Sequence, residues 1–252
     1  MNCLESLEIP VGVTSVVGSG GKTTLLRVLA ERISRMGGTV ILATTTHFLP
    51  FEGIPLVTSD DEGAVREALG RGGVVCVGAP MVAGRGGGSR AACKLGPSPI
   101  GIDRLARLAS HVVVEADGSR RLPLKAHAAH EPVVPADSAR TVLVVGASGL
   151  GEPVRDVVHR PELFCERAGC APDDVATAER VARALGNEVA GGILSPDAVV
   201  VNQADLCPTQ ATDLAHRIER VSGDVSGDRH FDTFVGSIRS DDLRRCVRGQ
   251  AL

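Results

Sequence analysis

Short apolar, β-branched runs alternate with longer amphipathic stretches along most of the chain. Val11 to Val17, Thr39 to Ala43, Val74 to Val77, His111 to Val114, Thr141 to Val145, Ala198 to Val201 and Phe231 to Ile238 have the length and composition of buried strands. Between them, Lys22 to Met36, Ser59 to Leu69, Pro99 to Ala109, Thr177 to Leu185 and Gln210 to Val221 carry helical periodicity. Gly37-Gly38 and Gly72-Gly73 follow two of these stretches where a left-handed cap is needed, and Asp60, Asp61 and Glu62 fall in a first turn. Pro161 enters a helix from the turn Val157 to Phe164. A strand, a helix and a second strand within about thirty residues make a βαβ unit, so the sheet is expected to be mainly parallel. The expected fold class is α/β, with helices flanking the sheet. The length of 252 residues fits a single domain over 1–252, with an irregular lid or insertion at 80–98 around the glycine-rich Gly84 to Arg90.

Charge narrows the partners. Lys and Arg total 27 against 30 Asp and Glu, and a net charge of −3 leaves no footprint for nucleic acid or an anionic membrane. No apolar run approaches the ~20 residues that span a bilayer, so no membrane partner is expected. Cys3, Cys76, Cys93, Cys165, Cys170, Cys207 and Cys246 are odd in number and irregularly spaced, without a secretory signal, which fits free thiols in the cytoplasm. Tyr and Trp are absent, so a flat ligand must stack on aliphatic stems.

The chemistry starts at Gly18-Ser19-Gly20-Gly21-Lys22-Thr23-Thr24, between the first strand and its helix. A phosphate chain in such a turn meets backbone N–H groups and the helix dipole together, while the lysine reaches the terminal phosphates and the first threonine a Mg²⁺ ion. Val16 stands where the longer consensus has glycine, so the match is to the shorter form of the loop, and the expected α/β fold is P-loop NTPase-like. Glu115 and Asp117 follow the strand His111 to Val114 and, two apart, share a face. Asp117 is expected to assist the metal with Thr23, and Glu115 to orient the attacking water or acceptor. Backbone from Gly18 to Gly21 would hold the phosphates. Asn202-Gln203-Ala204-Asp205 after a late strand resembles the guanine-reading turn of P-loop GTPases, with Asp205 accepting from the base and Asn202 bracing the turn. Such a pair of bonds favours GTP over ATP by about 10² to 10⁴.

The loop, the Thr44-Thr45-Thr46-His47 turn, Glu115 to Ser119 running into Leu122 to Ala126, His130 to Pro135, His159 to Glu162 and the Asn202 turn together resemble the YqeC family. Gln203 and His127 depart from the family's pattern. The resemblance implies an accessory protein of a selenium-dependent molybdenum hydroxylase, or one in selenium-cofactor biosynthesis. Its implied partners are a selenium species or molybdopterin-type cofactor and a client hydroxylase. Thr45, His47, Arg120, Arg121, Lys125, His130 and His159 are the candidates to meet such a second, anionic substrate. A hydrolase, an ATP-dependent ligase of the Mur type, a small-molecule kinase, a nucleotide-gated insertion chaperone and a binding-only protein are all open readings of these residues.

Overall fold

A computed structural model describes residues 1–81, 94–224 and 230–247. The strands are β1 (Gly12–Gly18), β2 (Val40–Thr44), β3 (Leu56–Val57), β4 (Val74–Val77), β5 (Ala79–Pro80), β6 (Leu95–Gly96), β7 (His111–Glu115), β8 (Leu124–Lys125), β9 (Ser138–Gly146), β10 (Val158–His159), β11 (Ala198–Asn202), β12 (Asp232–Ser237) and β13 (Asp242–Arg245). The helices are α1 (Cys3–Ser6), α2 (Lys22–Arg35), α3 (Glu62–Gly72), α4 (Ile102–Leu105), α5 (Val154–Val157), α6 (Pro161–Ala168), α7 (Ala178–Ala190) and α8 (Pro208–Asp224).

Nine strands form one sheet in the order β13-β12-β11-β9-β1-β7-β2-β4-β3, parallel throughout except where β13 turns back along β12. The fold class expected above is the one observed. Helices cover both faces, which is why β2 and β11 are buried at every position rather than at alternate ones. On one face α2 packs Leu25, Leu26, Leu29 and Ile33 against Val16, Val40, Leu42 and Val113. Opposite it, α7 and α8 pack Val181, Leu185, Leu214 and Ile218 over Val17, Leu143, Val199 and Val201. Because β1 lies in the middle of the sheet, the turn that follows it opens between neighbours on both sides. Ligand sites in open parallel sheets gather at this carboxyl edge.

Several elements depart from the periodicity. The helix expected over Pro99 to Ala109 is a single turn, Ile102–Leu105, because Pro97, Pro99 and Gly101 keep the preceding chain extended. The helix expected over Ser59 to Leu69 starts at Glu62 with Asp61 as its cap, whose side chain accepts from Gly63 N–H. Strand β12 does not end the sheet. The added β13 buries only Leu243 of its four residues, which hides it from a pattern search. Gly84 to Arg90, the heart of the lid expected at 80–98, lies outside the described residues. On either side of it β5 pairs antiparallel with β6, and Phe48 bridges to Leu95. Among the described residues no helix is long and apolar enough to cross a membrane.

Candidate functional site

The turn after β1 needs glycine for its path. Gly18, Gly20 and Gly21 have φ of 92°, 75° and 148°. A Cβ on Gly20 would lie 2.4 Å from Gly146 Cα, and one on Gly21 2.3 Å from Asn202 Nδ2. No side chain caps α2, so its first N–H groups open into a cleft of about 670 Å³, within the range of small-molecule sites. Gly20 to Thr24, Glu115 and Gly118 to Arg121 line that cleft together with Asn202, Gln203 and Asp205.

The expectation that backbone from Gly18 onward faces phosphate is corrected here. Gly18 N–H donates to Asp117 Oδ2 at 2.8 Å, and Ser19 N–H donates to the Val144 carbonyl at 2.8 Å. Ser19 Oγ donates to the Pro123 carbonyl at 2.8 Å. These two residues anchor the loop to the sheet, and the part open to a ligand begins at Gly20. Asn202 braces it, donating from Nδ2 to the Gly20 carbonyl at 2.7 Å and accepting from Ile238 N–H at 2.9 Å.

Glu115 and Asp117 occupy different environments. Thr23 Oγ1 donates to Glu115 Oε2 at 3.2 Å, at the cleft surface. Burial, partly offset by Lys22, pushes the Glu115 carboxyl up, and the Asp117 charge adds to the rise. Asp117 is 0% exposed and lies beneath the loop. Lys22 Nζ is 3.1 Å from its Oδ1, while Lys125 Nζ and His127 Nε2 each lie 2.9 Å from its Oδ2. Burial alone would raise this carboxyl; Lys22, the His127 hydrogen bond and Lys125 outweigh it and hold it far below the usual carboxylate range. The place beside Thr23 expected for Asp117 is therefore taken by Glu115.

From Asp117 a chain of alternating charges runs in both directions. Lys125 reaches Glu131 Oε2 at 2.8 Å, which Arg160 meets at 2.5 Å. His127 Nδ1 lies 2.7 Å from Glu188 Oε2, and Arg167 pairs with the other oxygen of Glu188. Arg160 caps α6 and Arg167 lies within it, so both ends of the chain return to the same helix. The Lys125 and Arg160 cations overcome the effect of burial and hold Glu131 down to about 2. Burial would lower the His127 imidazole, but its bonds to Asp117 and Glu188 raise it.

Of the second-substrate candidates, His47, Arg120 and Arg121 line the cleft. Lys125 is spent on Asp117, Glu131 and the Gly118 carbonyl, with its side chain 1% exposed. Thr45 donates to the Val133 carbonyl, and neither it, His130 nor His159 lines the cleft. Burial, with Arg160 and Lys125 beside it, takes His159 down to about 4. Gln203, at φ 68°, turns its carbonyl oxygen to accept from Ser148 Oγ at 2.8 Å. Asp205 is exposed at the cleft wall, next to Leu206, which is 69% exposed. Glu188 and Arg167 were not among the expected residues. Glu188 lies on the apolar stripe Val181, Ala184, Leu185 of α7, where an acid is a legible anomaly. Among the described residues no group of three or more His, Cys, Asp or Glu is placed to hold a metal.

The family model described as YqeC protein matches residues 14–162. A protein of Escherichia coli (strain K12), titled "Uncharacterized protein YqeC", is 36% identical over 165 residues, or 64% of this chain and 62% of that protein. The chain thus spans less than two thirds of that relative's length. The family match takes in the loop, both carboxylates and the charge chain as far as Arg160, and ends before Asn202.

Proposed function

The chain belongs to the YqeC family, and from that premise we propose that it is a Mg²⁺-dependent nucleoside triphosphatase that favours GTP over ATP. The observation that carries this reading is the meeting of Lys22, Thr23 and Glu115 at the uncapped start of α2. The triphosphate lies along Gly20 to Thr24, where backbone N–H groups and the helix dipole favour anions. Lys22 neutralises its terminal charge. A hydroxyl and a carboxylate are hard oxygen donors, and Mg²⁺ takes one or two such protein ligands beside phosphate oxygens. Thr23 and Glu115 therefore suit the ion, which when bound neutralises charge on the phosphates. Asp117 takes a positioning role, fixing Gly18, Lys22 and the loop's curvature from beneath.

Asp205 has no hydrogen-bond or ion-pair partner among the described residues and is free to accept from the N1 and N2 groups of guanine, with Leu206 supplying an aliphatic surface for the base. In keeping with the family resemblance, the activity serves, in the cytoplasm, the maturation of a selenium-dependent molybdenum hydroxylase or its cofactor. A kinase or ligase reading is favoured by one observation, the room that the cleft leaves beyond Lys22 on the side of β7 and β2.

Titration of the purified protein with Mg·GTP and Mg·ATP tests this, followed by phosphate release. GTP is expected to bind at least about 100-fold more tightly than ATP, with Asp205→Asn removing the preference and Lys22→Ala removing binding and turnover. Tighter ATP would reduce Asn202–Asp205 to a loop. Unchanged turnover in a folded Lys22→Ala variant would remove the site altogether.

A further inference from the structure

The cleft has two arms because the loop ends a central strand. Towards β11 and β12 its wall is Asn202, Asp205, Leu206, Ser237 and Arg239. Towards β7 and β2 it is His47, Phe48, Leu49, Lys94 and Ser119 to Arg121. A nucleotide whose base meets Asp205 fills the loop and the first arm, and leaves the second open next to its terminal phosphate.

That second arm is built unlike the rest of the molecule. Arg120 and Arg121 are exposed, and neither their side chains nor that of Lys94 makes a hydrogen bond or ion pair among the described residues. Both arginines also hold left-handed backbone, with φ of 50° and 64°. That conformation is unfavourable for a residue with a Cβ and persists mainly where a clamp or a switch uses it. Here two successive residues adopt it, and neither side chain gains an internal partner in return. Guanidinium forks suit phosphate and carboxylate groups. Phe48 and Leu49 give the same arm an apolar wall. His47, lowered by burial and by Lys94 and Lys22, offers a neutral ring rather than a further charge.

We propose that the β7–β2 arm binds a second small molecule, an anion bearing a phosphate or carboxylate on an apolar body, held by Arg120 and Arg121 beside the nucleotide. The assignment rests on the nucleotide reading above for which arm the base takes.

Inorganic phosphate and phenyl phosphate serve as probes, titrated calorimetrically into the free protein and into protein saturated with Mg·GDP. Asparagine tolerates left-handed backbone, so Arg120→Asn/Arg121→Asn removes the charges without forcing the turn. Phenyl phosphate is expected to bind both forms, about tenfold more tightly than phosphate. The double variant is expected to lose at least tenfold of that affinity, while Lys22→Ala loses the nucleotide and keeps phenyl phosphate. Phenyl phosphate that is displaced by Mg·GDP and lost in Lys22→Ala but not in the double variant would overturn the proposal, since the anion would then occupy the phosphate loop. Failure of both probes to bind the wild type would overturn it too. If GDP itself does not bind, the nucleotide reading fails, and the two variants still decide the anion site from titrations of the free protein.

Discussion

Asp117 and Arg120 are three residues apart and have opposite surroundings. Every neighbour of Asp117 is part of the chain: Gly18 N–H, Lys22, Lys125 and His127 converge on a carboxylate with no exposed surface. Among the described residues no side-chain partner is supplied to Arg120 or Arg121, and their backbone is held in a conformation that glycine would adopt more readily. One side of the site thus completes its electrostatics on folding, whereas the other leaves its charge for something from outside. The difference matters because a buried ion pair contributes little net stability when intact, yet is costly when one member is removed. An exposed unpaired cation has no partner to strand.

The largest effect is accordingly expected beneath the loop. Asp117→Ala leaves Lys22, Lys125 and His127 without their shared counter-charge and Gly18 N–H without its acceptor. A loss of about 3–5 kcal/mol in urea unfolding is expected; a loss under about 1 kcal/mol would dissolve the contrast between the two sides.

Next in size is the pH response of the same charge chain. His127 faces carboxylates at both ring nitrogens, Asp117 and Glu188, with Lys125, Lys22 and Arg167 behind them. Both nitrogens must donate, so the ring is an imidazolium and its folded value lies above its unfolded one. The stabilisation is then fully present below about pH 6.5 and is lost as pH rises through the raised folded value. Unfolding free energy is expected to fall across that window by about 1.4 kcal/mol per pH unit, and His127→Gln to be less stable at pH 6 but flat over the window. A wild type that is equally flat would place a neutral ring there. The acid limb has the opposite sign: Glu131 and Asp117, both held low, lose their contribution as pH falls from about 4 towards 2.

How much of this was legible in the sequence follows from what each residue does locally. The parallel strands, the loop and the convergence of Lys22 with Glu115 and Asp117 could be read because β-branched runs and a glycine turn act within a few positions. The division of labour between the two carboxylates could not be. Alternation puts them on one face, and only the chain's passage under the loop separates Glu115, buried but lining the cleft, from Asp117, sealed beneath the loop. Lys125 looked like a free cation for the same reason, since the turn of Arg120 and Arg121 brings Asp117 to it and a second turn at Ala129 and His130 brings Glu131. The short β13 was missed because three of its four residues are exposed at a sheet edge. Glu188 was visible as an acid on an apolar stripe, but its partner lies 61 residues away.

The smallest expected effect is at the rim, and there a near-zero change is the informative one. An arginine in left-handed backbone costs about 1–2 kcal/mol relative to the ordinary helical region, and asparagine sheds part of this without stranding a partner. Arg120→Asn/Arg121→Asn is therefore expected to match the wild type in urea unfolding or exceed it by up to about 1 kcal/mol. With phenyl phosphate at ten times its wild-type Kd that advantage is cancelled or reversed, because binding adds about 1.4 kcal/mol to the wild type and, after a tenfold loss of affinity, only about 0.4 kcal/mol to the variant. A loss of about 1.5 kcal/mol or more without ligand would mean that these arginines hold the fold, and the rim would then be a structural counterpart of the charge chain beneath it rather than its opposite.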